Sequence, residues 1–265
     1  MSAAERYDQL SPQDLADLKR AVALLNGRSF AVRLSQQVGG AAAGLSMMIP
    51  GAVRSAALRA SEIALSAAMR SAVRHIGRRA GSPNRPRNYW VASGVSGAIG
   101  GGFGLLGSAL ELPVTTVFLM RSIAAIAQEE GEDMTRAEAP AACLEVFALD
   151  GGGADATIDS SYFAIRAALA RSVREAALYV AQKGAADASA PAMVRLISSV
   201  AARFGLVVSE KFVAQAIPVL GAGFGAGINM AFSAHFQNLA RGHFIMRRLE
   251  RAYGEAAVRA AAAAL

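Results

Sequence analysis

The chain has 265 residues, enough for one substantial core, with 54% hydrophobic residues but only 6% aromatic ones. Its formal net charge is +7, and its one cysteine and three histidines exclude an internal disulfide framework and any cysteine-rich metal site. The apolar content is mostly alanine and small aliphatic side chains, which favours helix; no alternating run bounded by hairpin turns predicts a strand.

The opening MSAAERYDQL lacks a basic segment ahead of an apolar one, so the expectation is no Sec export and a reducing cytoplasm. Ser11-Pro12 followed by Asp14 reads as an N-cap, a first-turn proline and an acid on the helix dipole. Leu15, Leu18, Val22 and Leu25 then recur at helical spacing until Gly27. A second helix is expected from Arg28 toward Pro50, with Gly39, Gly40 and Gly44 on its path. A third begins near Val53, with Leu58, Leu65, Met69, Val73 and Ile76 as its apolar stripe, and ends before the two prolines of SPNRPRN.

This third segment carries the charge. Arg54, Arg59, Arg70, Arg74, Arg78, Arg79, Arg85 and Arg87 face one acid, Glu62, which accounts for the whole excess of +7. Tyr89 and Trp90 follow directly. An arginine-rich amphipathic helix with interfacial aromatics suits anionic lipid headgroups. Nucleic acid would use the same charge, but no recognition motif or set of stacking aromatics accompanies it, so no nucleic-acid partner is expected.

Gly94 to Pro113 contains Gly102-Phe-Gly104-Leu-Leu-Gly107, which spells a dinucleotide fingerprint. That motif needs a preceding strand, and the residues before Gly102 are glycine, alanine and serine, so neither a nucleotide nor any other cofactor is expected. Three runs lack Lys, Arg, Asp and Glu: Leu34 to Val53, Asn88 to Leu110 and Phe212 to Ala240, of 20, 23 and 29 residues. Each is long enough to cross a bilayer core. The middle one holds seven glycines, each costing about 1 kcal/mol in a helix interior relative to alanine, and is too weak to stand as a helix alone. Small-xxx-small spacings at Gly97/Gly101 and Gly221/Gly225, with Gly104 nearby, offer close helix packing as compensation, either in a soluble core or against a bilayer. GGGFGLLG and GAGFGAG, at Gly100 and Gly221, are similar openings to two apolar stretches and hint at a pair of related hairpins.

Beyond the glycines, Pro113 is expected to start a helix that stays apolar to Gly131, with Glu111 at its end as an N-terminal acid or a satisfied core acceptor. Thr135-Arg-Ala-Glu138 reads as a capping box for a helix carrying Cys143, Leu144, Phe147 and Leu149. Helices from about Ser161 to Lys183 and Pro191 to Phe204 follow, then two more between Leu206 and Tyr253, broken near Pro218. The expected architecture is all-α: one domain, a multi-helix bundle with glycine-rich, closely packed central hairpins, residues 1–88 forming N-terminal helices and 89–254 the core.

Chemistry is thinly marked. His75, His235 and His243 have no metal-binding spacing, and neither G-x-S-x-G nor S-x-x-K occurs, so no metal site is expected. Cys143 in CLEVFAL reads as a buried structural thiol. Glu111, His235 and His243 remain the candidates for a spatial acid and histidine site of a hydrolase. That hydrolase is the alternative; the leading expectation is a non-enzymatic, peripheral membrane protein that binds anionic lipid or a membrane partner.

The segments LPVTTVFLMRSIAAIAQEEGED, CLEVFALDGG and IPVLGAGFGAGINMAFSAHFQNLARGHFIMRRLERAYG resemble the EcsC protein family, over roughly Tyr89 to Gly254. The family is named for the third member of a bacterial operon encoding an ABC transporter tied to protein secretion. The resemblance implies a bacterial, cytoplasm-facing, membrane-associated helical protein, peripheral on the inner membrane and accessory to such a transporter. It carries no catalytic signature.

Overall fold

A computed structural model describes residues 10–27, 29–30, 32, 49–73, 104–150, 157–183, 187, 189–215 and 221–265; at 73, 104–109 and 221–225 it describes the backbone alone. Among the described residues every regular element is helical. These are α1 (Pro12–Leu25), α2 (Gly51–Val73), α3 (Gly104–Glu129), α4 (Ala139–Glu145), α5 (Ala164–Lys183), α6 (Pro191–Gln215), α7 (Gly221–Tyr253) and α8 (Glu255–Ala263). A 3-10 turn, Val146–Ala148, continues α4, and a π turn, Asp159–Phe163, leads into α5.

Local chemistry sets several of the boundaries. The Ser11 hydroxyl accepts the Asp14 amide at 3.1 Å and Pro12 occupies the first turn, so α1 starts as its sequence predicts. Gly131, at φ +74°, closes α3, and the Glu132 amide bonds back to the Ala127 carbonyl at 2.8 Å. That arrangement needs a left-handed residue just past the helix. Gly254, at φ +87° and ψ 145°, separates α7 from α8.

At the centre lies α4 with its 3-10 extension. All of Ala139 to Leu149 is buried, as expected of a segment surrounded by other helices. The Phe147 ring sits 5.0 Å from Phe204 and 5.3 Å from Phe236, and Phe232 links both of those to Phe30 beyond α1. Such edge-on and tilted aromatic contacts give the core directional packing in addition to buried area.

Around this centre the pairings fix helix directions. α3 and α7 run parallel, since Glu111 meets Asn229, Ser122 meets Gln237 at 3.0 Å, and Glu132 meets Arg247 at 2.8 Å. α2 and α6 run antiparallel, with Leu58 against Gly205 and Glu62 3.4 Å from Ser198. α1 descends along α7 from Arg248, bonded to Asp14 and Asp17, to the Phe30 contact with Phe232. α5 lies across one end, tied by Arg166 to Glu250 and by Glu175 to Arg195 at 2.8 Å. The bundle therefore has two ends: an ion-paired end covered by α5, and a glycine end where α2, α3 and α7 start and α6 stops.

Several expectations need correction. α3 begins at Gly104, so Pro113 lies inside it and Glu111 is not at its end. An internal proline costs about 3 kcal/mol; buried Glu111 and Leu112 anchor these first turns to other helices and offset it. The Thr135–Glu138 capping box does not form. Asp133 takes both the Thr135 amide (2.9 Å) and hydroxyl (2.6 Å), and the helix starts only at Ala139, just before Pro140. α6 runs past Phe204 to Gln215. On α2 the buried stripe is mostly alanine, with Ala57, Ala60, Ala64 and Ala68 joined by Leu65 and Met69, while Leu58 is on the outside. The break expected near Pro218 lies outside the described residues. Gly104 and Gly221 are the first residues of α3 and α7, which lie side by side in parallel; Gly100 to Phe103 lie outside the described residues.

Candidate functional site

The chemistry-bearing side chains are buried and arranged at three levels along α7. At the glycine end, Glu111 Oε1 accepts from the Thr115 hydroxyl at 3.1 Å and from the Asn229 amide, and lies 3.6 Å from Lys211 Nζ. Burial of Lys211 pulls its ammonium below the usual lysine range, and the Glu111 carboxylate pulls the other way. Its ammonium also sits 4.8 Å from the centre of the Phe232 ring. Three helices each give an i, i+4 polar pair to this level: Glu111 and Thr115 from α3, Lys211 and Gln215 from α6, Asn229 and Ser233 from α7. All six are buried.

The middle level is His235, whose Nε2 is 3.3 Å from Asp150 Oδ1, with the ring between Phe30 and Phe236. The third, toward the ion-paired end, is His243. Its Nδ1 shares a 3.0 Å hydrogen bond with the Tyr162 hydroxyl, and its Nε2 is 3.9 Å from Glu145 Oε2. Burial first, then Arg166 and Arg247, holds the imidazole well below its ordinary range, so it is neutral. Burial pushes the Glu145 carboxyl up to about 7. The Tyr162 hydroxyl is also raised by burial.

These levels are spread along the bundle. Asn229, His235 and His243 are six and eight residues apart on one helix, which at 1.5 Å per residue separates the first and last by roughly 21 Å. Glu111, His235 and His243 each have their own partner and do not converge on a common position. Cys143 is wholly buried with its thiol pushed up to about 12, as a structural thiol should be. No group of three metal-ligating side chains occurs among the described residues.

Arg54, Arg59 and Arg70 are exposed on α2, where Ile63, 61% exposed, lies between Arg59 and Arg70 on one face. Arg74, Arg78, Arg79, Arg85, Arg87, Trp90, His75, Gly97 and Gly101 lie outside the described residues, as does the helix expected from Arg28 toward Pro50 beyond Val32. Gly104, Gly221 and Gly225 are in helices whose backbone alone is described there. Close approach to a neighbouring helix is seen at Gly205 and Gly242. A Cβ on Gly205 would stand 3.3 Å from Leu58 Cα, and one on Gly242 would stand 2.8 Å from Leu25 Cγ.

The arginines that tie helices together through carboxylates gather toward one end of the bundle, although exposed Arg20 and Arg174 in that half are unpaired among the described residues. At the ion-paired end Arg247 binds Glu132, Arg248 joins Asp14, Asp17 and Glu130, and Arg259 binds Asp159. Arg54, Arg59, Arg121 and Arg203, in the other half, form no ion pair among the described residues. Two helices, over Leu110–Glu129 and Pro191–Gln215, are long and apolar enough to cross a membrane by length and composition. In each, 56% of the apolar window is buried within the bundle, so both also build the core.

The model of the EcsC protein family matches residues 56–249. The chain belongs to the EcsC protein family. The match starts well before Tyr89, so most of α2, with Arg59 and Arg70, is part of the family domain and not an appendage to it. No curated protein and no solved structure matches the chain. Sequence reasoning had missed Lys211, Asn229, Glu145 and Tyr162; the first two were detectable as polar residues recurring at i, i+4 in otherwise apolar helices.

Proposed function

We propose that this EcsC family member is a non-enzymatic, peripheral membrane protein of the cytoplasmic face that binds anionic lipid and serves as an accessory to a membrane system such as an ABC transporter or secretion apparatus. The observation that carries the reading is the distribution of arginine partners. Where an arginine holds helices together it is bonded to carboxylates; in the half containing α2's start, Arg54, Arg59, Arg121 and Arg203 keep their charge for something outside the fold. Arginines beside exposed apolar side chains such as Ile63 and Leu58 are what an anionic interface attracts. Each cationic side chain near such a surface is worth about 1 kcal/mol. The basic run continuing to Arg87 adds to the same attraction.

Liposome flotation tests the reading. The protein should float with phosphatidylglycerol vesicles at low salt and stay behind with phosphatidylcholine vesicles. Equal binding to both, or to neither, removes the anionic-lipid reading.

A further inference from the structure

We infer that the protein docks end-on, the glycine end of α3, α6 and α7 entering one leaflet of an anionic bilayer while Arg59, Arg121 and Arg203 lie at headgroup level. This rests on the membrane reading above and adds which surface makes contact and how deep it goes.

The register of the helices supplies the depth. Glu111 on α3 and Lys211 on α6 mark one level near the glycine end. Arg121 is ten residues beyond Glu111 and Arg203 eight residues before Lys211 on a helix running the other way. At 1.5 Å per residue these are roughly 15 and 12 Å below that level, so the two arginines fall at nearly the same height. Arg59 joins them, because its neighbour Leu58 packs on Gly205, two residues from Arg203. Three helices thus place arginines in one band.

Above the band the outward side chains of α3, and the large exposed side chains of α6 and α7, are apolar. On α3, Leu110 is 80% and Val114 52% exposed, and they share a stripe with half-buried Phe118 that ends at exposed Arg121. On α6 the 52% exposed Leu206 stands on the glycine side of Arg203. On α7 the exposed Met230 follows Asn229, which is bonded to Glu111. Of the charges nearest the end, Glu111 and Lys211 are turned inward against each other, and Glu210 is half-buried and has a partner within the protein. Arg54 stands above the band on the outer side of α2, and its long side chain reaches back to the headgroups by snorkelling. From Leu110 to Arg121 is roughly 16 Å along the axis, close to half of a hydrocarbon core of about 30 Å. The match is to one leaflet, not to a span. Positive charge ringing an apolar tip complements an anionic bilayer, where a protein groove would have no use for a level band of guanidinium groups.

Site-resolved quenching tests the geometry. Trp90→Phe removes the native indole, and L110W, M230W or L178W is then added, the last on α5 at the other end; each is mixed with phosphatidylglycerol vesicles carrying brominated acyl chains. Expected is strong quenching at 110 and 230 and none at 178, with unchanged circular dichroism. In parallel, R121E/R203E should lower vesicle partitioning at least tenfold, and R174E on α5 less than twofold. Flotation with quenching at 178, or at all three sites, would overturn end-on docking while leaving lipid binding in place. A charge-reversed pair that binds like the wild type would overturn the headgroup band. Failure of the unmutated protein to float at all, as a purely protein-bound partner surface would give, would defeat both readings.

Discussion

Lys211 is wholly buried, and its ammonium stands 3.6 Å from Glu111, too far for a good hydrogen bond. Glu111 Oε2, the Gln215 amide and the Ser233 hydroxyl add buried polar atoms without partners among the described residues. A pair so poorly satisfied loses much of its attraction to desolvation, yet breaking it from one side strands a charge. Urea melts should therefore show K211M or E111Q losing about 3–5 kcal/mol, and E111L/K211M matching or exceeding the wild type. A double variant as unstable as either single would show that the pair itself stabilises the fold, and losses that simply add would show that the two residues are not coupled. Glu145 and His243 give a second expectation, in pH. Burial raises the Glu145 carboxyl from 4.5 to about 7, so the folded state holds that proton more tightly and stability falls as pH rises through this window. His243 is depressed from 6.5, so the unfolded state binds its proton more readily and stability is lost as pH falls below 6.5. Between about 4.5 and 6.5 the two slopes oppose each other. E145Q should expose the histidine slope, gaining stability with rising pH by up to about 1.4 kcal/mol per unit, and H243N the opposite slope; denaturant midpoints across this range check both. Glu111, His235 and His243 were legible as unusual residues because each interrupts an apolar face. Their partners were not, since Lys211, Asp150 and Tyr162 lie in other elements and only the helix registers bring them near.

At the scale of elements, two glycines replace side chains that would not fit. A Cβ on Gly242 would meet Leu25 Cγ at 2.8 Å and the Ala21 carbonyl at 3.1 Å, so α1 lies on α7 with almost no space between them. Gly227, on the same helix near the glycine end, has nothing within 4 Å of such an atom. G242A should cost about 1–3 kcal/mol through overpacking, whereas G227A should stabilise by about 0.4–1 kcal/mol through the more restricted unfolded chain. Thermal melts of the two variants moving in opposite directions would verify the contrast; a stabilising G242A would show that α1 is free to shift outward. The helices themselves were readable because Ser11, Gly131, Pro191 and the Gly254 break are local signals that act within one turn. Pro113 and Thr135 misled for separate reasons: tertiary anchoring of α3 offsets a proline cost of about 3 kcal/mol, and the competing carboxylate of Asp133 outweighs a cap worth about 1 kcal/mol. Gly205 and Gly242, where close contact is seen, lie outside the glycine-rich stretches that the sequence singles out. Contact depends on which residue faces a neighbouring backbone, and at Gly205 and Gly242 that is set by α2 and α1.

The whole molecule is a bundle whose two ends have divided the charges between them. Asp14, Asp17, Glu130 and Glu132 meet Arg247, Arg248 and Arg251 at one end, locking α1, α3 and α7 together. The net charge of +7 is then left to the other half and to the basic run that follows α2. This division makes the salt dependence of two properties differ. Attraction of Arg59, Arg121 and Arg203 to an anionic surface acts across water and is screened within a Debye length of about 10 Å at 0.1 M salt. The Arg247 and Glu132 contact is largely sheltered, with Glu132 held below the usual carboxylate range by its two arginines despite the desolvation that opposes them, and is screened much less. Raising salt from 0.05 to 0.5 M should therefore release the protein from phosphatidylglycerol vesicles by at least tenfold while shifting its thermal midpoint by no more than a few degrees. Paired sedimentation and melting series measure both. If binding outlasts the salt, the apolar tip at Leu110, Val114 and Met230 carries the attachment and the arginines only orient it. If stability falls with binding, the ion-paired end is as exposed to screening as the free arginines, and the assignment of one end to folding and the other to the membrane fails.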